Sequence, residues 1–327
     1  MGDAPSMGST EDVSRLMRLS IIIVNYEGCR YLGPCLDAIA AVLREPCEVI
    51  LVDNASTDGS AQFVRERYPY VRLIENRENL GFAAGNNIGA KVATGEYLLL
   101  LNNDTCLLDD LSPALAIMDG NPRLGALGIR MLGMDNAYRR SAGRFPALLR
   151  FLRLSQLYAR GDGLVDGHFS EPTRWRAVDW VEGSFLLTRR SLWESLGGLD
   201  NGYFMYMEDV DYCRRLSGRG LATAYLPVLR YQHAGGYSAA RVAWLSASLR
   251  RYANKFYRWP MRPLAHGAIM INLAAKLIRT AVASITADTA SRPDRRADLV
   301  ACWHALRAER ARPGNGGSER TASVSQR

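Results

Sequence analysis

Tyr97-Leu98-Leu99-Leu100-Leu101-Asn102-Asn103-Asp104-Thr105 is the stretch from which the rest of this chain can be read. Four leucines run straight into three polar residues. A short, continuous apolar run with polar ends fits a strand buried on both faces of a parallel sheet. Its carboxyl end then falls where open α/β sheets receive ligands. A carboxylate there, Asp104, is placed to hold a metal ion against phosphate oxygens. The same residue would serve equally well as a turn former or helix cap, so the flanking sequence has to decide.

Upstream, residues 76–90 read NRENLGFAAGNNIGA and open a helix expected to reach residue 93. Gly81 and Gly85 admit close backbone approach, and the amides of the helix start are expected to receive a diphosphate. Further back, strands at 19–25 (LSIIIVN), 48–52 (EVILV) and 71–75 alternate with helices at 31–44 and 60–67. That order is an α/β half-domain: a doubly wound, mostly parallel sheet flanked by helices. Neither a GxGxxG nor a GxxxxGK[ST] is present, which excludes a dinucleotide fingerprint and a P-loop. The polar residues sit instead at strand ends. Asn25, Tyr26 and Glu27 follow the first strand, and Asp53, Asn54 and Asp58 follow the second. Asp53 is expected to meet a base or ribose. Asp58 is expected either to do the same or to cap the next helix.

Downstream, a helix at 111–118 and a strand at 125–132 lead into a basic insertion, 138–175, where arginines alternate with Phe145, Phe151 and Tyr158. Residues 178–188, VDWVEGSFLLT, read as one strand with Glu182 and Gly183 inside it. A helix at 190–196 follows. Glu208, Asp209 and Asp211 then gather in a first helical turn, where the helix dipole favours acids and where a catalytic base would also be at home. Strand character returns at 222–226, and His233 stands in YQHAGG at 231–236.

The chain has 327 residues, 48% apolar and 23% charged, as in ordinary soluble globular proteins. Its net charge of +8 suits an anionic partner. The six cysteines show no CxxC or zinc spacing and read as reduced thiols, which points to a cytoplasmic setting. The first 18 residues lack the apolar core of a signal peptide and read as a disordered lead-in.

Seven segments in order (SIIIVNYEG, VDNASTDGS, NLGFAAGNNIG, LLLLNNDT, WVEGSFLLTRR, YFMYMEDVDYCRR and QHAGG) resemble the inverting, nucleotide-sugar-dependent glycosyltransferases of family 2, in particular their rhamnosyltransferase-like branch. The resemblance spans residues 19–237. It implies a GT-A fold, with a nucleotide-sugar half at about 19–110 and an acceptor half at about 111–240. It implies a metal cofactor, Mg²⁺ or Mn²⁺, held by Asp104 and His233. Asn102 stands where the family's Asp-X-Asp motif has its first carboxylate, which leaves fewer acids for the metal. It places Asn25, Tyr26, Glu27, Asp53, Asn54, Asp58, Asn79, Gly81, Phe82, Asn86 and Asn103 around a dTDP- or UDP-sugar, with rhamnose favoured. It makes Asp209, with Glu208, the catalytic pair, and puts Glu182, Gly183 and Asp211 on the side of a saccharide acceptor carried on a polyprenyl diphosphate. A sugar nucleotidyltransferase would need a glycine-rich basic signature near the first strand, where this chain has NYEG. A nucleic-acid-binding protein would have no use for the acid cluster.

Residues 241–290 are expected to be helical and basic-aromatic. Charges at Lys276 and Arg279 argue against a membrane span, leaving either an interfacial helix or helices packed on the catalytic domain. The expected location is the inner face of the cytoplasmic membrane. Residues 291–327 read as a basic tail with a helix near 297–311 and a disordered end.

Overall fold

The computed structural model describes residues 17–146, 163–235, 240–285 and 300. Residues 1–16 of the expected lead-in, the 147–162 part of the insertion and all but residue 300 of the expected tail helix lie outside these residues. The first half alternates as anticipated: β1 (Leu19–Asn25), α1 (Cys29–Val42), β2 (Cys47–Asp53), α2 (Ser60–Arg67), β3 (Arg72–Glu75), α3 (Gly81–Ala90) and β4 (Tyr97–Asn102). Then come β5 (Thr105–Leu107), α4 (Ser112–Gly120), β6 (Leu124–Leu132), β7 (Tyr138–Arg139), β8 (Ala142–Gly143), the single turn α5 (Gly163–Asp166), β9 (Arg176–Val178), β10 (Trp180–Val181) and β11 (Phe185–Arg189). The described chain ends with α6 (Arg190–Leu196), α7 (Glu208–Gly218), β12 (Ala222–His233), α8 (Ala240–Phe256) and α9 (Met261–Ile285).

One mixed sheet runs β3-β2-β1-β4-β11-β6-β12-β5. Leu98 to Leu101 of β4 are buried, and each such leucine contributes roughly 1.5–3 kcal/mol relative to exposure. The sheet is mostly parallel in its first half, as expected, and turns mixed at β4. β4 is parallel to β1 but antiparallel to β11, so the sheet changes sense at this strand. A βαβ crossover demands the parallel side; nothing in the leucine run specifies the other.

The register aligns the polar strand ends. Asn25 stands opposite Asp53, and Val24 opposite Asn102. Phe185 pairs with Leu101, so residues 182–184 descend beside the end of β4, where the Asn102 amide donates to the Ser184 carbonyl (3.2 Å). His233 pairs with Thr105, which sets it next to Asp104. The single strand expected at 178–188 is therefore divided among β9, β10 and β11, with breaks at Asp179 and at 182–184. Conversely, the strand expected at 222–226 extends to His233. β12 runs on past a register shift between Leu226 and Arg230, where Pro227 cannot join the ladder.

The glycines of α3 have a different use from the one expected. A Cβ on Gly85 would lie 2.8 Å from Val24, and one on Gly89 2.5 Å from Ile22. These glycines let α3 lie directly on β1. Helices α8 and α9 pack on each other and on α7 through a separate small core that includes Tyr252, Ala265, Ile269 and Leu273.

Candidate active site

A cleft of about 1260 Å³ opens at the carboxyl ends of β1 and β4 and extends between α7, α8 and α9. Of the residues singled out in the sequence, Tyr26, Glu27, Phe82, Asn103, Asp104, Glu182, Gly183, Glu208, Asp209 and His233 line it.

Asp104 follows β4 directly. Its Oδ2 accepts from the Gly235 amide (3.0 Å), and its carbonyl accepts from the Ala234 amide (2.9 Å), so the loop after β12 wraps around it. Its Oδ1 is 3.0 Å from Nε2 of His233. The approach is close but poorly aligned, and Oδ1 is buried without a proper hydrogen-bond donor. The same Nε2 is 3.2 Å from Nδ2 of Asn102, and one nitrogen cannot donate to the acid and accept from the amide at once. Burial alone would raise the Asp104 carboxyl. The adjacent His233 imidazole and the Gly235 amide outweigh it and hold the carboxyl below its usual range. Burial pulls His233 down, but Asp104 raises it on balance. A bare carboxylate oxygen and an imidazole nitrogen side by side fit a divalent cation. Among the described residues no third histidine, cysteine or acid joins them, so such an ion would draw its other ligands from substrate and water.

The opposite wall carries the acids of α7. Tyr206 and Met207 both adopt positive φ (72° each), an uncommon pairing for non-glycine residues that turns the chain so that Glu208 and Asp209 begin the helix facing the cleft. Asp209 Oδ2 accepts from the Gly183 amide (2.9 Å) and Oδ1 from its neighbour Val210 (2.7 Å). Gly183 has no room for a side chain, since a Cβ would sit 2.9 Å from the Phe82 ring. Burial and then the Asp209 charge push Glu208 well above the carboxylate range, and its Oε2 is buried without a partner. Burial raises Asp209 too, but two amides counter it, so Glu208 takes up the pair's proton first. Glu182, between the two walls, is pushed up to about 7 by burial, with His233 and Arg241 acting against that shift and Asp209 and Asp104 adding to it.

Several residues expected on the donor side lie behind the cleft instead. Asp53 is buried. Its Oδ1 accepts from Asn25 Nδ2 (2.8 Å) and Ser56 Oγ (2.6 Å), and its Oδ2 from the Ser56 amide (2.8 Å). Asn25 in turn accepts from Asn103 Nδ2 (2.6 Å). Asn54, also buried, donates to the Gly81 carbonyl (3.2 Å) and accepts from Asn76 (2.8 Å). Asp58 accepts from the Cys29 amide (2.8 Å) and from Ser60 N (3.1 Å) and Oγ, which makes it a cap joining the starts of α1 and α2. Asn86 donates back to the Phe82 carbonyl (2.9 Å). The diphosphate cradle expected at α3 is also corrected. The Gly81 amide donates to Asn79 Oδ1 (3.0 Å) and the Phe82 amide to the Phe204 carbonyl (2.8 Å), so the two leading amides are already engaged.

Asp211, expected near an acceptor, is buried away from the cleft. It binds Arg215 Nε (2.6 Å), Lys255 Nζ (2.6 Å) and the Tyr203 hydroxyl (3.2 Å), while Lys255 and Arg251 both reach Asp200 at 2.7 Å. This network ties α7 to α8. The acid's position one helical turn before Arg215 was the available signal for it, since i,i+4 pairs face each other.

Sequence reasoning missed other cleft residues. Gly28 lies under Asn103, where a Cβ would meet Nδ2 at 2.1 Å. Arg241 faces the acids from α8 with its guanidinium 5.2 Å over the Tyr206 ring. The described cysteines are free thiols, none of them on the cleft wall.

The sequence profile of glycosyl transferase family 2 matches residues 20–215. The chain is 31% identical to an N-acetylglucosaminyl-diphospho-decaprenol L-rhamnosyltransferase of Mycobacterium tuberculosis over 251 residues, covering 68% of this chain and 78% of the relative. It is 29% identical to the rhamnosyltransferase WbbL of Escherichia coli K12, covering 56% of this chain and 67% of the relative. Among solved structures, the fold is similar to that of a mannosyltransferase from Pyrobaculum calidifontis in complex with GDP-mannose and Mn²⁺, with a TM-score of 0.54 at 19% identity over 89% of this chain and 88% of that one. Sheet order, strand-end polar residues and sequence relatives agree: the chain has the GT-A fold and belongs to glycosyl transferase family 2, in its rhamnosyltransferase-like branch, as an inverting glycosyltransferase.

Proposed function

We propose that this protein transfers rhamnose from dTDP-rhamnose, with a divalent cation, to a saccharide on a polyprenyl diphosphate during cell-surface glycan synthesis. The observation that carries the reading is the buried, partnerless Oδ1 of Asp104 beside His233 Nε2, across one cleft from Asp209. Asp104 and His233 would hold the cation. A carboxylate and an imidazole suit Mn²⁺ better than Mg²⁺, which prefers oxygen ligands throughout. When bound, the ion supplies positive charge for the leaving diphosphate. Asn102, in place of a second acid, lies 3.2 Å from Nε2, and its amide would have to give up that nitrogen for the cation.

Asp209 is the base. Its two amide donors favour the ionised form, while Glu208 beside it keeps a proton and spares it a second negative charge. Asp209 takes the proton of the acceptor hydroxyl as that oxygen attacks the anomeric carbon. The bond from that carbon to the diphosphate oxygen breaks, its electron pair leaves with the nucleoside diphosphate, and attack from the opposite side inverts the centre. Tyr26, Glu27, Phe82 and Asn103 line the donor end. Glu182 and Gly183 lie on the acceptor side.

A membrane-surface position is part of this reading. No described helix is long and apolar enough to cross a bilayer. Residues 212–287 contain no aspartate or glutamate. Along α9, Leu264, Ile271, Ile278 and Val282 are exposed at seven- and four-residue spacing, one stripe turned away from the protein.

The test incubates purified protein with dTDP-rhamnose, Mn²⁺ or Mg²⁺ and an N-acetylglucosaminyl-diphospho-polyprenol, and follows dTDP release and the mass of the lipid product. Addition of one deoxyhexose to the lipid is expected. If neither dTDP-, UDP- nor GDP-sugars yield nucleoside diphosphate with either metal, the reading fails. Co-sedimentation with anionic vesicles, lost in the double variant Ile271→Glu, Ile278→Glu, is the expected result for the membrane contact.

A further inference from the structure

The cleft does not end at the acids. It continues outward between α8 and α9, and the character of its wall changes there. Val242, Leu245 and Leu249 line it from α8, spaced three and four residues apart on one helical face. Ile269 and Leu273 line it from α9, again four apart, with Asn272 between them. Every acid of the cleft wall (Glu27, Asp104, Glu182, Glu208 and Asp209) belongs to the inner half, and α8 and α9 contain none. The outer wall carries cations instead. Arg241 stands at the junction with the acidic half, and Lys276 and Arg279 follow farther along α9. A groove with an apolar floor and cations at its edge, opening off a catalytic centre, matches an amphiphile with an anionic head and a hydrocarbon tail.

Helix α9 presents this groove on one side only. At about 100° per residue, Ile269, Leu273 and Lys276 fall on the side opposite Ile271 and Ile278. The outward stripe is free to meet a bilayer while the inward one faces the cleft, so a chain leaving the bilayer beside α9 has a short apolar path to the acids.

We infer that the groove between α8 and α9 seats the acceptor's polyprenyl diphosphate, its first isoprene units against Leu245, Leu249, Ile269 and Leu273 and its diphosphate against Arg241 and Arg279. The inference deepens the proposed function by assigning the acceptor's lipid portion to named residues. Three observations support the occupant: the groove is continuous with the catalytic cleft, its charge is complementary to a diphosphate, and its α9 wall backs onto the exposed apolar stripe. Arg241 holds its place through the Tyr206 ring, on the turn that presents Glu208 and Asp209. The head-group seat on α8 thereby touches the turn that leads into Glu208 and Asp209.

The test is a binding measurement that needs no transfer, so it stands even if the rhamnosyl reading fails. Farnesyl diphosphate, a three-isoprene probe, is titrated into the full chain by calorimetry with and without saturating dTDP and Mn²⁺. Binding that persists with the nucleotide present, and weakens at least tenfold in Leu249→Gln and in Arg241→Gln, is expected. Asn272→Trp, which fills the groove from a half-buried position, is expected to weaken binding as much and guards against a folding defect in the leucine variant. Unchanged thermal melting is the control for each. Absence of binding, displacement of the probe by dTDP, or wild-type affinity in folded Leu249→Gln and Asn272→Trp would each overturn the assignment. Displacement would place the probe's diphosphate in the donor site instead.

Discussion

The acids behind the cleft and those on its walls are treated in opposite ways. At the ends of β1 and β2, Asp53 and Asp58 have their oxygens engaged by amides and hydroxyls of the surrounding loops. On the cleft walls themselves, Asp104 and Glu208 each leave a buried oxygen without a hydrogen-bond donor, and Glu182 is pushed up to about 7. A folded chain tolerates few such orphans because each costs about 1–3 kcal/mol. In the proposed reading the satisfied acids build the scaffold and the unsatisfied ones meet a ligand. Substitutions in the first group should therefore be read in stability, and in the second in activity.

The largest effect is expected from Asp209→Asn, which removes the proposed base while keeping shape. A loss of roughly 10²–10⁴ in kcat, with donor affinity within a few fold of the parent, is the expected outcome in steady-state assays. Near-parental kcat would move the base elsewhere, with Glu182 the next carboxylate to examine. Asp104→Ala follows. It should lower turnover by about 10³ and abolish the response to added Mn²⁺, with little change in melting temperature. A large fall in melting temperature would instead assign Asp104 to the scaffold.

Asp53→Ala should behave in the reverse manner. It strips acceptors from Asn25 and Ser56, so a stability loss of about 1–3 kcal/mol is expected in denaturant titration, with kcat reduced far less than in Asp209→Asn. If it abolishes turnover without destabilising the fold, the contrast between the two groups breaks.

The smallest effect concerns Glu182. Its folded-state value of about 7 lies above the ordinary 4.5, so the folded protein binds the extra proton between these values. Stability should then fall as pH rises from about 4.5 to 7 and level off above. Glu182→Gln should remove that slope and gain on the order of 1 kcal/mol at pH 8 in metal-free buffer. Parallel pH profiles for the two proteins would show that the acid is not under strain. At Asp200 the sign reverses. Lys255 and Arg251 hold its carboxyl at about 2, against burial, so the stability it lends the joint between α7 and α8 is lost only as pH falls from about 4 toward 2.

Much of this was legible in the chain. The buried runs of β1, β2 and β4, the helix at Arg190–Leu196 and the acid-led start of α7 all lay where apolar periodicity and capping chemistry placed them. Local rules failed where several segments meet. The glycines of α3 looked like an anion cradle because glycine permits close approach; what approaches is β1. Asp211 looked like a site acid because it neighbours two of them, but one helical turn rotates its side chain into the Lys255 network. The groove between α8 and α9 was invisible in either helix alone.

By itself, the sequence determined which residues could do chemistry and which strand ends would carry them, because strand burial and helix caps are local properties of a few neighbouring residues. Only the tertiary structure decided which of those acids face a ligand. That depends on register and helix rotation: β12 alongside β5 brings His233 to Asp104, and β11 alongside β4 lowers Glu182 and Gly183 toward Asp209. A shift of one residue in either pairing would turn the same side chains to the other face of the sheet.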